Sequence, residues 1–335
     1  MNDGSKPAPL TFALLRLLGN GEFHSGETLA QRLGISRASV SNALRGVDGY
    51  GLALYRVRGR GYCLHNPPQW LDAALIARHL GGQGGQFQIE ILDRAPSSNT
   101  LLLQRAAQGA PSGSVLAVEW QSGGRGRLGR TWHAGLGNAL TFSLLWRFER
   151  GLAALSGLSL AVGVVLIRVL RALGVVGAQL KWPNDVLGPG GKLAGILIEA
   201  QGDVLGPSAV VIGIGLNLTV PQHLLAQIEQ PVDSLADAIA AVPEIAVPER
   251  NYLLALILRE LQQILREFST HGFAALRTEW ESYHVLHNRM VCLLLPDGSN
   301  VVGVARGVTE NGALILETAQ GEKIFNAGEI SLRAL

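Results

Sequence analysis

The chain is poor in cysteine, methionine, aromatic residues and charge. It has two cysteines, two methionines, 6% aromatics and 16% charged residues in 335. Cys63 and Cys292 lie far apart in apolar runs and lack the close spacing of metal ligands. This argues against a disulfide scaffold or a thiolate metal centre, and for buried thiols in the reducing cytoplasm. No Walker loop, G-x-S-x-G elbow or His–Cys cluster is present, so the usual marks of a P-loop nucleotidase, a serine hydrolase or a zinc enzyme are missing. The first ten residues show no secretory pattern. The longest uncharged apolar run, 152–167, lies between Arg150 and Arg168. It falls short of the ~18 residues of a membrane span, so a buried core helix and no membrane partner are expected.

Hydrophobic residues make up 47% of the chain, enough for sizeable cores, and a length of 335 suggests two or three domains. Net charge is only +2, yet residues 1–65 hold eight Lys/Arg against four Asp/Glu. A basic module on a near-neutral body predicts that the N-terminal part meets a polyanion. Glycine, by contrast, is abundant. In Gln121–Trp132, Gly123, Gly124, Gly126 and Gly129 alternate with Arg125, Arg127 and Arg130, directly after the strand-like run 115–120. Glycine lets a ligand approach the backbone, and guanidinium binds carboxylate or phosphate through paired hydrogen bonds, so this reads as an anion-cradling loop.

Three motifs in order, G-R-G-R-x-G-R-x-W (124–132), K-W-P-N-D (181–185) and K-L-A-G-I-L-I-E (192–199), make the chain resemble the biotin–protein ligases. With the basic N-terminal segment it is similar to the bifunctional branch, ligase and biotin operon repressor at once. The resemblance covers nearly the whole chain. It implies a multidomain α+β fold with a winged helix-turn-helix at 1–65, a linker helix and Gly-rich flexible linker at 66–85, and a mixed-sheet catalytic domain related to class II synthetases at 86–284. A small SH3-like β-barrel at 285–335 completes it.

Local patterns agree. Helices are expected over 11–19, after Ser25, and over 37–44, followed by a strand–turn–strand with Arg58 and Arg60 at its tip. Such an arrangement reads DNA with its third helix and grips phosphates with the wing, giving Ser36, Arg37, Ser41, Asn42, Arg45, Arg58 and Arg60 as candidate DNA contacts. The resembling family usually has Lys where Asn42 stands, which leaves the operator sequence open. Further expectations are strands at 87–92, 139–148 and 210–220, a long core helix at 152–173, an amphipathic helix at 248–268 and short C-terminal strands from 290.

The resemblance implies that Ser97, Ser98, Asn99 and Gln121 hold the ureido ring of biotin. Gly124, Arg125, Gly126 and Arg127 should close over its carboxylate, and Arg130 and Asn217 should face the nucleotide of ATP. Lys181 is taken as the main catalytic residue, between carboxyl and α-phosphate, with Arg125 and Arg127 assisting. No Trp stands in 222–232 to stack on adenine. Biotin and ATP would be substrates with Mg²⁺ screening the phosphates, and no protein metal site is expected. Partners would be the biotin carboxyl carrier protein of acetyl-CoA carboxylase, operator DNA, and a second copy in an adenylate-bound homodimer. The alternatives are a lipoate–protein ligase, a non-catalytic biotin-sensing repressor, and a ligase without regulatory DNA binding.

Overall fold

Each short N-terminal helix begins where a side chain satisfies the backbone donors of its first turn. Ser25 Oγ accepts from Thr28 N at 3.0 Å and Ser36 Oγ accepts from Ser39 N at 3.0 Å, the ordinary N-cap. Gly34, at φ 64, closes the intervening turn in the left-handed region. The structure, a computed structural model, describes residues 8–240, 246–327 and 331–334. Helices α1 (Pro9–Leu17), α2 (Gly26–Leu33) and α3 (Arg37–Ala43) precede strands β1 (Leu54–Val57) and β2 (Gly61–Leu64), a basic hairpin wing. Phe12, Leu15, Leu29, Val40 and Leu44 form their core.

Residues 70–72 lie outside any helix, and α4 (Ala73–Leu80) is capped by Asp72, whose carboxylate accepts from Leu75 N at 2.9 Å. The glycine stretch expected to be a flexible linker is an ordered 3₁₀ turn, Gly81–Gln86, and the Gln86 side chain is bonded by Gln262 and Arg266. Glycine composition indicates freedom in an isolated chain, but tertiary hydrogen bonds remove it here.

The central sheet has seven strands: β3 (Gln88–Ala95), β4 (Ser114–Gln121), β5 (Ala139–Phe148), β6 (Gln179–Lys181), β7 (Asp185–Gly188), β8 (Gly191–Gly202) and β9 (Ser208–Asn217). Their order is β3-β4-β5-β9-β8-β7-β6, with β3/β4 parallel and the other pairs antiparallel. One face carries α5 (Ser98–Ala107) over Leu116, Val118, Leu145 and Val211. The other carries α6 (Leu158–Ala172) and α9 (Arg250–His271) over the main core. The expected helix at 152–173 is divided by Gly157 at φ 80 into a 3₁₀ turn and α6. The segment Leu152–Ala172 is long and apolar enough to cross a membrane, but α6 is packed among core residues. Short helices α7 (Gln222–Leu225), α8 (Leu235–Ala240) and α10 (Arg277–Ser282) complete this part.

The C-terminal unit is a five-stranded antiparallel sheet: β10 (Met290–Leu294), β11 (Asn300–Val308), β12 (Leu314–Thr318), β13 (Gly321–Phe325) and β14 (Ser331–Ala334), in the order β13-β12-β11-β10-β14. Its inner residues Val291, Leu293, Val308 and Leu316 join the core of the large sheet. Trp182, fully buried, donates from Nε1 to the Gly312 carbonyl at 3.0 Å across the junction.

At the same junction His284 is 5% exposed, lies 4.6 Å from the Trp280 ring, and among the described residues has no hydrogen-bond partner for either ring nitrogen. Burial, with a smaller push from His287, brings its pKa from 6.5 down to about 4. The unfolded chain takes up this proton as pH falls below 6.5, while the folded protein does not until about 4. The neutral ring's stability is therefore complete above 6.5 and lost progressively toward 4, by up to about 3 kcal/mol. His284→Phe should shrink the drop in unfolding free energy between pH ~7 and pH ~5 by about 2 kcal/mol in urea titrations; an unchanged drop would count against it.

Candidate functional site

The cavity forms where the sheet has no side chains to fill its own surface. Thr141, Gly215, Gly195 and Asp185 are successive cross-strand partners, so they share one face. Beside that row run Ser143, Gly213 and Leu197. A Cβ on Gly215 would collide with the indole of Trp132, and one on Gly213 with the amide of Asn99. Both side chains lie directly on the backbone there and form walls of a hollow.

One end of this hollow is neutral and hydrogen-bonding. Ser97 caps α5, and Ser97, Ser98 and Asn99 are all buried at its first turn. Gln121, at the end of β4, accepts from Ser98 N at 2.8 Å. Ser143 Oγ donates to Asn99 Oδ1 at 2.5 Å and accepts the Ser98 hydroxyl at 2.7 Å. Both amide hydrogens of Asn99 are occupied, by Leu197 O at 3.1 Å and Glu199 Oε2 at 3.0 Å. Asn99 therefore lines the cavity with its donors already engaged.

The other end is cationic. The glycine–arginine loop is a tight hairpin: Gly126 N donates to Arg130 O at 2.7 Å and Trp132 N to Gly124 O at 2.9 Å. Leu128, at its tip, has φ 57 and is exposed. Arg125, Gly126, Arg127 and Arg130 line the cavity, whereas Gly124 is buried against the Trp132 carbonyl on the side of a neighbouring hollow. Arg127 donates to Asn184 Oδ1 at 3.4 Å and to the Ala327 carbonyl of the C-terminal unit. Desolvation lowers its pKa, Asp185 raises it, and the like charge of Arg130 lowers it further.

The lysine in the cavity wall is Lys192, not Lys181. Its Nζ lies 2.7 Å from Asp185 Oδ1 and 5.9 Å from the Trp132 ring centroid. The Asp185 contact is one of charge, since that oxygen has no aligned hydrogen bond. Lys181 is Asp185's cross-strand partner on edge strand β6, on the same face and one strand further out than the residues that line the cavity. A register shift between Val186 and Leu187 puts Leu187 opposite Lys192. Strict alternation back from Gly195 would turn Leu193 over the cavity and bury Lys192. The bulge reverses this, leaving Leu193 fully buried and Lys192 over the hollow. A lysine where alternation demands a core residue was the available signal.

Asn217 is also away from the cavity. Its amide donates to Lys192 O at 3.2 Å and Asp233 O at 3.1 Å, so it pins the backbone behind Lys192. From the 222–232 segment, Gln230 reaches the wall. Trp132 also lines it. Among the described residues no group of His, Cys, Asp or Glu could hold a metal ion by itself.

Ser36, Arg37, Ser41, Asn42, Arg45, Arg58 and Arg60 are all exposed on α3 and the wing. Asn42 and Arg45 also line the neighbouring hollow, opposite His133, His223 and Gln227. Arg60 stacks over Phe23 at 4.1 Å.

Residues 91–217 match the Biotin/lipoate A/B protein ligase family, 286–333 the Biotin protein ligase C terminal domain, and 10–63 an HTH domain. The chain is 37% identical to the bifunctional ligase/repressor BirA of Escherichia coli over 334 residues, covering 100% of this chain and 99% of that protein. It is 35% identical to the biotin–[acetyl-CoA-carboxylase] ligase of Mycobacterium tuberculosis over 270 residues, 79% of this chain and 96% of the relative. A solved biotin protein ligase from Aquifex aeolicus in complex with biotin and ATP is similar at TM-score 0.61 and 26% identity, covering 74% of this chain and 99% of that one.

Gly215→Ala tests the geometry of the hollow. Its methyl would push Trp132 off the sheet, so tryptophan emission should shift and small-ligand affinity fall at least about tenfold, by the logic of overpacking. Unchanged emission and affinity would contradict the arrangement.

Proposed function

The chain belongs to the biotin protein ligase family, in its bifunctional ligase/repressor branch, and from that premise we propose that it joins biotin to a carrier-protein lysine at the expense of ATP and represses transcription. One observation carries the ligase reading. A neutral hydrogen-bonding end and a cluster of Arg125, Arg127, Arg130 and Lys192 share one cavity. Such a cavity suits a ureido ring at one end and an anionic acyl-phosphate at the other.

A free carboxylate resists amine attack, so it must first be activated. Its oxygen attacks the α-phosphorus of ATP, expelling pyrophosphate and leaving biotinyl-5′-AMP. The carrier lysine's neutral amine then attacks the acyl carbon, AMP leaves, and an amide remains. Neither step requires a protein nucleophile; both require cations where negative charge gathers. In this reading Ser97, Ser98 and Gln121 serve the ring, while Arg125 and Arg127 cover the ligand. Arg130 faces the phosphates, and the role expected of Lys181 passes to Lys192. Asp185, a partly buried cavity-wall carboxylate, fits a Mg²⁺ ion arriving with the nucleotide, because Mg²⁺ is usually held by one or two carboxylates plus substrate phosphates. Lipoate is disfavoured because its dithiolane offers nothing to the serines and Gln121.

The carrier is the biotin carboxyl carrier protein of acetyl-CoA carboxylase. Biotinyl-5′-AMP is the corepressor of an adenylate-bound homodimer whose two winged helices meet a palindromic operator through α3 and the wing. The two free thiols agree with the cytoplasm.

Purified protein given biotin, MgATP and an acceptor domain should produce a biotinyl mass adduct, and biotinyl-5′-AMP should strengthen a gel shift on the operator. Absence of the adduct rejects the ligase; adduct without a shift rejects the repressor. Lys192→Ala should slow pyrophosphate exchange by about 10²–10³, the usual loss for one oriented donor, and Lys181→Ala by far less. The reverse ranking would restore the role to Lys181.

A further inference from the structure

We propose that Glu199 is a positioning residue that holds the glycine–arginine loop on the sheet, and that the Arg125–Glu199 ion pair governs how long the ligand is retained. The ligand in question rests on the function proposed above; the tether itself rests on geometry alone. Arg125 Nη2 lies 2.8 Å from Glu199 Oε1 and 2.6 Å from Oε2. One strand residue thus joins the glycine-rich loop to the long strand β8. Arg125, one of the cations lining the cavity, is thereby tied to the same carboxylate that Asn99 holds.

The carboxylate is itself held. Asn99 Nδ2 donates to Glu199 Oε2, and the amide cannot flip, because its other hydrogen goes to Leu197 O and its oxygen receives the Ser143 hydroxyl. Ser143 is fully buried and accepts from Ser98. A chain of hydrogen bonds thus runs from Ser98 through Ser143 and Asn99 to Glu199, whose carboxylate also accepts from Arg125. It links the hydrogen-bonding floor of the cavity to the loop above it. Asn99's place in this chain explains why its donors are not available to the ligand.

Contacts from three of its side chains help to hold the loop. Trp132 lies on Gly215, Arg127 reaches the Ala327 carbonyl, and Arg125 meets Glu199. The first two involve neutral groups on the receiving side, whereas the Glu199 contact joins opposite charges and is weakened by salt and by charge removal. With side-chain exposures of 45% for Arg125 and 23% for Glu199, solvent screens the pair, and its loss should loosen the loop without unfolding the protein.

Glu199→Gln keeps the shape and the acceptor for Asn99 but removes the charge. Two readouts separate this proposal from the functional reading. Hydrogen exchange of residues 123–131 in the full-length protein needs no ligand, and should accelerate by about 3- to 10-fold in the variant, the span expected of a partly screened pair. Biotin and biotinyl-5′-AMP dissociation should accelerate similarly, with KM for biotin rising more than kcat falls. Dissociation from the wild type should quicken with salt, whereas that from Glu199→Gln should respond much less, a difference that mere structural damage would not produce. Unchanged exchange in the loop overturns the tether. Faster exchange with unaltered retention overturns its role in holding ligand. A wild type that forms no adduct defeats the ligase reading and the retention claim together, while the exchange measurement still decides the tether.

Discussion

Close approach at three glycines is the constraint on which the site depends. Gly195, Gly213 and Gly215 stand on neighbouring strands facing α5, where side chains would fill the hollow. Their absence lets Trp132 and Asn99 rest on bare backbone, and those two residues bring the loop and the first turn of α5 to the same place. Substituting any of the three moves a wall rather than adding a group to the cavity. The glycines cost conformational entropy on folding, and the central strands β5, β8 and β9 compensate with ladders paired along most of their length.

The loop connects this cavity to the winged helix through very few residues. Trp132 lies over the sheet, while Leu136 is fully buried in the winged-helix core. Leu136 N donates to Tyr50 O at 2.8 Å, and the Tyr50 ring meets Trp120, next to Gln121, at 6.1 Å. The chain between the two units is anchored as well. Glu119 accepts from Leu71 N at 2.7 Å and from Arg250 Nη1 at 2.8 Å, and Arg250 also donates to the carbonyls of Gln69 and Ala139. A buried pair of this kind adds little net stability but tolerates no other arrangement, because either charge alone would be left desolvated. The DNA-reading unit is thus seated against the segment that walls the ligand cavity, which supports a reading in which one chain performs both tasks.

Much of this was legible in the sequence where a residue's local chemistry coincides with its structural role. Ser36 announces a helix start, the glycine–arginine loop announces an anion cradle, and β5 runs over Ala139–Phe148 as its pattern predicts. Legibility ended where tertiary geometry overrides local pattern. The bulge after Val186 turns Lys192 outward, and no period-two reading contains it. Asn99 and Asn217 look like ligand donors in sequence, but carbonyls and Glu199 claim their hydrogens. Gly81–Gln86 reads as a tether until Gln262 and Arg266 are seen to hold it. The final strand, β14, carries no turn signal strong enough to announce it and exists by pairing with β10.

Charge balance also bears on why this cavity suits an activated acid rather than its amide product. Arg125 and Lys192 are matched by Glu199 and Asp185. Arg127, desolvated and repelled by Arg130, stays protonated because a guanidinium hardly deprotonates in proteins, so its cost takes the form of crowded positive charge. A polyphosphate relieves that crowding on entry, and an acyl-phosphate continues to relieve it after pyrophosphate has left. Transfer of the acyl group to an amine removes the anion from the acyl end, and AMP is then held only by its own phosphate. On the proposed reaction, the attraction that retains the intermediate is cancelled by the step that consumes it. Retention and release therefore need no separate device beyond the cations and the tether that keeps their loop in place.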